Sequence, residues 1–230
     1  MKKIKLFCCL IFTLVYLSCE NNIVEEHYPY YQHTLLLSFK DVSGNDLVKG
    51  IGYSWNPPNV TSEEESIGGI VYPHLYTLKV IFPEGATDVN DKSLWPGTPE
   101  PSDTIKRPFI ELLKPYDENM KFLDAVGKPL DGYEMYKDFW EAMGDFYHLM
   151  IISHSRQLDD VEKLVFRLTC PYVFGDYNAH DIVTYWRESY GKNMTKGKAC
   201  YRIEFEDKEI TEISYAQYEQ LSFATIVIDK

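Results

Sequence analysis

Apolar and polar residues alternate along much of this chain, which predicts strands. At 35–40, Leu35 and Phe39 share one side of a predicted strand with Leu37, so that side is fully apolar. A continuous apolar run at 149–152 indicates a strand buried on both faces. In all, strands are predicted at 35–40, 76–82, 109–113, 149–152, 164–170, 182–186, 201–206 and 223–228. For 182–186, which is β-branched and aromatic, a short helix after Asn178 is the alternative.

One helix is predicted, at 132–143. Asp131 can cap its start, and Glu134 stands three residues later, as in a capping box. Gly144 is a natural stop. Between them an apolar stripe recurs at helical spacing and indicates a core-facing side, formed by Met135, Tyr136, Phe139, Trp140 and Met143. Trp186, in the predicted strand at 182–186, is also expected in the core.

Cys170 and Cys200 are the two cysteines outside the first 19 residues. Alternation places Cys170 on the apolar face of its strand and Cys200 on the polar face of its own. Side chains on opposite faces cannot bridge without backbone movement, which argues against a disulfide. A strand end or a bulge would make the pair compatible, so the disulfide stays an alternative.

A nine-residue pattern occurs twice, 83 residues apart. Each copy combines an Asp-started turn, a Gly suited to positive φ and an apolar restart. It resembles the hairpin turns of immunoglobulin-like and transthyretin-like modules in secreted bacterial proteins. Independent hairpins with the same turn chemistry, or two related β modules, would both explain it. The copies are Phe39-x-Asp41-x-x-Gly44-x-x-Leu47 and Phe122-x-Asp124-x-x-Gly127-x-x-Leu130.

These patterns together predict a mainly β fold. The expected architecture is an antiparallel sandwich, immunoglobulin-like or transthyretin-like, with one short helix near 132–143. We expect one β-rich domain over 34–230, with a subdivision near 106 as the alternative. Long loops are expected at 53–70 and 84–106, and loops of such length are often functional.

Composition narrows the classes of partner. Apolar residues make up 45% of the chain, so a packed core is expected. The net charge is −12, and three of the basic residues lie among the first five positions. An acidic surface repels phosphate backbones, so nucleic-acid binding is not expected.

The first residues carry the clearest targeting signal. Lys2, Lys3 and Lys5 precede an apolar run at 6–16, and Cys19 follows at once. A basic start and a short apolar run indicate a secretory signal. The segment resembles the lipobox of small lipoproteins from Bacteroidetes envelopes. The resemblance implies a signal peptide at 1–18, lipidation of Cys19 and a tether at 19–33. It also implies a protein anchored at the cell envelope, which we expect at the outer membrane, on either of its faces. The alternatives are an ordinary cleaved signal with an incidental cysteine, and packing of the tether tyrosines on the domain as a first edge strand.

Few motifs in the sequence indicate a catalytic, binding or modification site. We find no nucleophile–base motif, and no cofactor or metal site is expected; the oxygen-rich segment 41–46 is interpreted as a tight turn. Trp55 and Trp95 each lie beside prolines in a long loop, where a stiff ring could bind a sugar or a partner. Thr104, in Asp103-Thr104-Ile105, resembles the O-glycosylation site of Bacteroidetes envelope proteins.

The functional hypothesis is a membrane-anchored binding or accessory module without enzymatic activity. Its partner would be an envelope protein or a glycan. The alternative is a structural subunit of a fimbria or adhesin, in which 223–228 pairs with a neighbouring subunit. A third hypothesis is a hydrolase whose residues come from distant strands.

Overall fold

The fold is seen in a computed structural model, which describes residues 30–54, 62–83, 87–88, 110–124, 126–156, 162–190, 196–216 and 220–230. It confirms the mainly β class. No helix in these ranges is long and apolar enough to cross a membrane. The strands are β1 (Tyr30–Asp41), β2 (Tyr53–Ser54), β3 (Gly68–Val71), β4 (Thr77–Ile81), β5 (Thr87–Asp88), β6 (Ile110–Leu113), β7 (His148–Arg156), β8 (Lys163–Thr169), β9 (His180–Tyr190), β10 (Lys196–Phe205), β11 (Lys208–Ile210), β12 (Ile213–Ala216) and β13 (Leu221–Ile228).

The thirteen described strands belong to one mixed sheet, in which nine follow the order β2-β3-β6-β7-β1-β10-β9-β8-β4. Off this path, β5 pairs with β7, β11 with β10, β12 with β13, and β13 with β1. Most pairs are antiparallel, as predicted, but β1 runs parallel to β13 over seven residue pairs and parallel to β10 at His33. The purely antiparallel prediction is therefore wrong at β1. The immunoglobulin-like or transthyretin-like sandwich remains a prediction.

β1 is central to the sheet. It begins at Tyr30, so the last four residues of the predicted tether, 30–33, form part of it. One edge pairs with β7, and the other pairs first with β10 and then with β13. Both faces are covered from His33 to Phe39. An interior strand, rather than an edge strand, thus starts the described part of the chain.

The main core lies on one face of β1. Leu35, Leu37 and Phe39 belong to a cluster of buried side chains that also come from β3, β4, β6, β7, β8, β9, β10 and β13. Trp186 is its largest fully buried side chain, as expected for a core residue. Its Nε1 donates to Thr184 Oγ1 at 2.7 Å, so the indole N–H is satisfied inside the apolar cluster.

The other face of β1 is covered by helices. The predicted helix over 132–143 is in fact two short helices, α1 (Gly132–Met135) and α2 (Lys137–Met143). Tyr136 separates them with non-helical angles, φ −124° and ψ 34°; tertiary packing of its ring near Phe122 accompanies the break. A further helix, α3 (Pro171–Phe174), was not predicted.

The ends of this helical region agree with the prediction better than its middle. Asp131 Oδ1 accepts from the backbone N–H groups of residues 133 and 134, and Gly144 ends α2. Trp140 and Met143 are buried, as predicted. Met135 and Tyr136 are 44% and 40% exposed, so the predicted apolar stripe is wrong at its N-terminal end.

A β-bulge corrects the prediction for Cys200. Cys200 pairs with Trp186, but Arg202 pairs with Tyr185, so Tyr201 is an extra residue in β10. The inserted residue reverses the alternation, because side chains alternate with period two. Cys200 is therefore buried in the core rather than on the polar face, and both it and Cys170 are free thiols.

Candidate functional site

A groove of about 620 Å³ opens on the helical side of the sheet. It is lined by the end of α2, the start of β7 and part of β13, together with Lys40 and the segment 209–214, from β11 to β12. The groove therefore lies where three parts of the chain that are remote in sequence meet: Lys40, the region 142–148, and the nearby segments 209–214 and 223–225.

Two hydroxyls lie at the base of this groove. The parallel register places Ser38 beside Thr225, and the two hydroxyl oxygens are 2.8 Å apart. Ser38 is fully buried, whereas Thr225 lines the groove. A hydroxyl pair keeps donor and acceptor capacity beyond the bond it shares, so Thr225 can also bind a group in the groove.

His148 lines the same groove at the start of β7. Its Nδ1 lies 3.0 Å from the backbone oxygen of Phe146, and a carbonyl can only accept, so Nδ1 carries the proton. Burial lowers the pKa of His148 to about 4, because desolvation disfavours the charged ring. At neutral pH the ring is uncharged and Nε2 is a hydrogen-bond acceptor.

An aromatic cluster holds the imidazole in place. The ring of Phe223 meets His148 edge to face, with centroids 5.7 Å apart. Phe139 of α2 packs on Phe223 in turn, at 5.4 Å. The floor of the groove is thus fixed by β7, β13 and α2 together.

Charged side chains stand at the rim. Lys40 Nζ lies over the ring of Phe146, 5.7 Å from its centroid. Glu209 Oε2 lies 3.1 Å from Arg202 Nε, so that carboxylate is compensated. Glu212 is exposed. The groove therefore offers neutral donors and acceptors at its base and both signs of charge at its edge.

A second group of titratable residues surrounds His180. Its Nε2 lies 3.1 Å from Asp176 Oδ1 and its Nδ1 lies 3.4 Å from Glu206 Oε1. The ring stacks on Phe174 with centroids 4.0 Å apart. Hydrogen bonding to His180 is the main cause that lowers the pKa of Asp176. This arrangement ties the turn after α3 to the β10–β11 turn.

The oxygen-rich segment 41–46 is a turn, as interpreted. Asp41 Oδ1 accepts from the backbone N–H groups of Ser43 and Asn45, both at 2.8 Å. Asp46 Oδ2 accepts from the backbone N–H of Tyr147 at 2.8 Å. These carboxylates are therefore used by backbone N–H groups of the turn and of Tyr147. In the described ranges, no three His, Cys, Asp or Glu residues are grouped so as to hold a metal ion.

The site residues predicted from sequence are Cys19, Trp55, Trp95 and Thr104, and all four lie outside the described residues. The groove residues were not predicted. Ser38 and Thr225 carried the available signal, since each is a polar residue inside a mostly apolar strand. That signal could not be used without knowing that β1 and β13 are neighbours.

In comparisons with known proteins, no protein-family model, no curated protein and no solved structure matches this chain.

Proposed function

We propose that this protein is a lipid-anchored module of the cell envelope that binds a ligand or partner without transforming it. The groove between α2, β13 and the segment 209–214 is its binding site. The observation that carries the proposal is the polar base of this groove, where Thr225 and His148 are held by buried neighbours. Such a site, with few polar groups fixed by a packed frame, is typical of ligand recognition.

The leader supports the location in the envelope. A basic start, an apolar run and Cys19 are the features expected of a lipoprotein signal. Two or three acyl chains give firm anchoring, because each buried methylene contributes about 0.8 kcal/mol. Labelling cells with a radioactive fatty acid tests this part: label on the natural protein and none on Cys19→Ala is expected, and equal label on both would contradict it.

Site-specific photo-crosslinking in intact cells tests the binding site. A photo-reactive residue replaces Thr211, which lines the groove, or replaces Lys79, an exposed residue of β4 outside it. We expect a defined envelope protein or glycan to be captured from position 211 and not from position 79. Identical products from both positions, or none from position 211, would contradict a binding function for this groove.

The fimbrial alternative receives no support from strand pairing. As a donor strand, the terminal segment would have to leave its own sheet and pair with a neighbouring subunit. Instead, β13 pairs with β1 and β12 of its own chain, and Ala224, Ile226 and Ile228 are buried in the main core. We therefore propose the binding module alone.

A further inference from the structure

The two edges of β13 are not equally paired. Against β1, pairing continues from Ser222 to Ile228. Against β12, it covers only Leu221 to Ala224. Within the ranges that the structure describes, no strand pairs with this second edge of residues 225–228. The last four residues of β13 therefore form an open strand edge, and the first of them, Thr225, lines the groove.

An open edge presents main-chain hydrogen-bonding groups in a fixed pattern. Along a strand, alternate residues direct their N–H and C=O groups toward the same side. About two of the four residues 225–228 thus offer a donor and an acceptor to the open side. This is the pattern that another extended chain can match.

The side chains of this edge lack the usual protection against such pairing. Natural edge strands carry Lys, Pro or bulges, which block an added strand. Residues 225–228 read Thr-Ile-Val-Ile, and Val227 is 45% exposed. A flat, apolar edge of this kind is a liability in an acidic, exported protein unless a specific partner covers it.

The adjacent space has the dimensions of a short strand. A residue in a sheet occupies roughly 160 Å³, from a rise of about 3.4 Å, a strand spacing of about 4.8 Å and a layer thickness of about 10 Å. The groove, at about 620 Å³, has room for about four such residues. A short extended segment that enters this space meets the open edge at Thr225.

We propose that the groove binds an extended peptide segment of a partner protein, which adds to β13 as a strand alongside residues 225–228. The segment would lie end to end with β12. Its alternate side chains would lie on the face of Thr225 and Val227, which is the groove side of β13, and the others on the opposite face. Two basic residues, Lys40 and Arg202, stand against three carboxylates around the groove, Glu204, Glu209 and Glu212. A basic side chain is therefore favoured on the groove side. This inference rests on the proposed binding function and names the class of partner.

Selection from a random heptapeptide library displayed on phage, against the full chain, provides the probe. We expect basic–apolar peptides to be enriched. Binding of one synthetic heptapeptide should slow amide hydrogen exchange at alternate positions of 225–228 by 10-fold or more. N-methylation of alternate peptide residues should weaken binding at least 10-fold for one methylation pattern and little for the other.

Matched variants locate the peptide. Val227→Lys places a charge on the open edge and should weaken peptide binding at least 10-fold. Val126→Lys makes the same change at a valine that is 88% exposed and outside the groove, and should leave affinity unchanged. Equal affinity in both variants, or binding without protection of the amides at 225–228, would overturn strand addition.

The outcomes separate this inference from the proposed function. If position 211 captures a glycan in cells and the library yields no binder, the peptide proposal fails and the binding module stands. If position 211 captures nothing and no peptide is selected, both proposals fail. Capture of a protein through an extended segment, with protection at 225–228, supports both.

Discussion

The two copies of the nine-residue pattern fold into the same turn in different surroundings. In the first, Gly44 N donates to Asp41 O at 3.0 Å and Leu47 N to Phe39 O at 2.8 Å. In the second, the corresponding bonds join Gly127 to Asp124 at 3.0 Å and Leu130 to Phe122 at 2.8 Å. The glycine φ angles are 86° and 84°. Local turn chemistry therefore determines this conformation.

The structure on either side of each turn depends on distant contacts and differs between the two copies. The first turn follows β1, and its Phe39 is fully buried in the main core. Each turn carries one isolated bridge, Lys40 to Asp46 in the first and Leu123 to Pro129 in the second. The second turn, however, follows a described segment without a strand, 114–122, and leads into α1. Its Phe122 is only partly buried, and it packs against the buried cluster that includes Trp140 and Met143. This contrast favours independent use of one turn chemistry over two related modules.

The largest expected difference between the two turns is at their first residue. Phe39→Ala should reduce the free energy of unfolding by about 3–5 kcal/mol, because it leaves a cavity in the packed core. Phe122→Ala should cost about 1–2 kcal/mol, because less apolar area is lost. Urea unfolding followed by circular dichroism measures both. Equal losses would show that the two turns are anchored alike.

The free energy of unfolding should depend on pH because of a histidine close to the first turn. Asp46 joins this turn to Tyr147, next to His148, whose pKa is lowered to about 4 in the folded state. The unfolded chain binds a proton near pH 6.5 and the folded chain does not, so stability must fall as the pH decreases from about 6.5 toward 4. The expected loss between about pH 7.5 and pH 5 is about 2 kcal/mol.

The control for that titration is His148→Gln, measured by urea unfolding at both pH values. It should show a smaller loss than the natural protein, since carboxylates contribute equally to both. If the two proteins lose the same stability, His148 is not held neutral by burial.

The two aspartates should contribute similar, smaller amounts. Asp41 Oδ1 accepts from the N–H groups of Ser43 and Asn45, and Asp124 Oδ1 accepts from those of Val126 and Lys128. Replacing either aspartate by Ala should cost about 1–2 kcal/mol, as loss of a capping side chain does. Thermal unfolding of the two variants measures this. A loss for Asp41→Ala several times larger would assign its role to contacts outside the turn.

The smallest effects are expected at the glycines, and they should be equal. An added Cβ at Gly44 or Gly127 meets no atom within 4 Å, so the cost comes only from the left-handed backbone. Ala at either position should destabilise by about 1 kcal/mol. The same thermal unfolding measures both. A clear difference between the variants would reveal strain that the matching φ angles do not show.

Sequence alone determined the features that depend on near neighbours. Alternation, together with one continuous apolar run, identified the seven longest strands, the four-residue β6 and the mainly β class, because the period of two is a local property of the pleat. Asp131 and Gly144 identified where the helical region begins and ends. The two turns followed from an aspartate and a glycine at fixed spacing.

Tertiary structure decided what depends on contacts between distant segments. The bulge at Tyr201 reversed the side of Cys200, and no local signal marks an extra residue in a strand. Tyr136 divided the predicted helix where its ring packs near Phe122. The short strands β2, β3, β5, β11 and β12 have two to four residues, which is too few to show a clear period. They are formed by pairing with neighbouring strands.

The candidate site belongs entirely to this second class. Ser38 and Thr225 are 187 positions apart and become neighbours only because the last strand pairs in parallel with the first described one. Sequence indicated an envelope location through the leader, since targeting signals are read as linear segments. It could not indicate the groove. The groove forms where distant segments pack together, and the burial of apolar residues that are remote in sequence determines which segments do so.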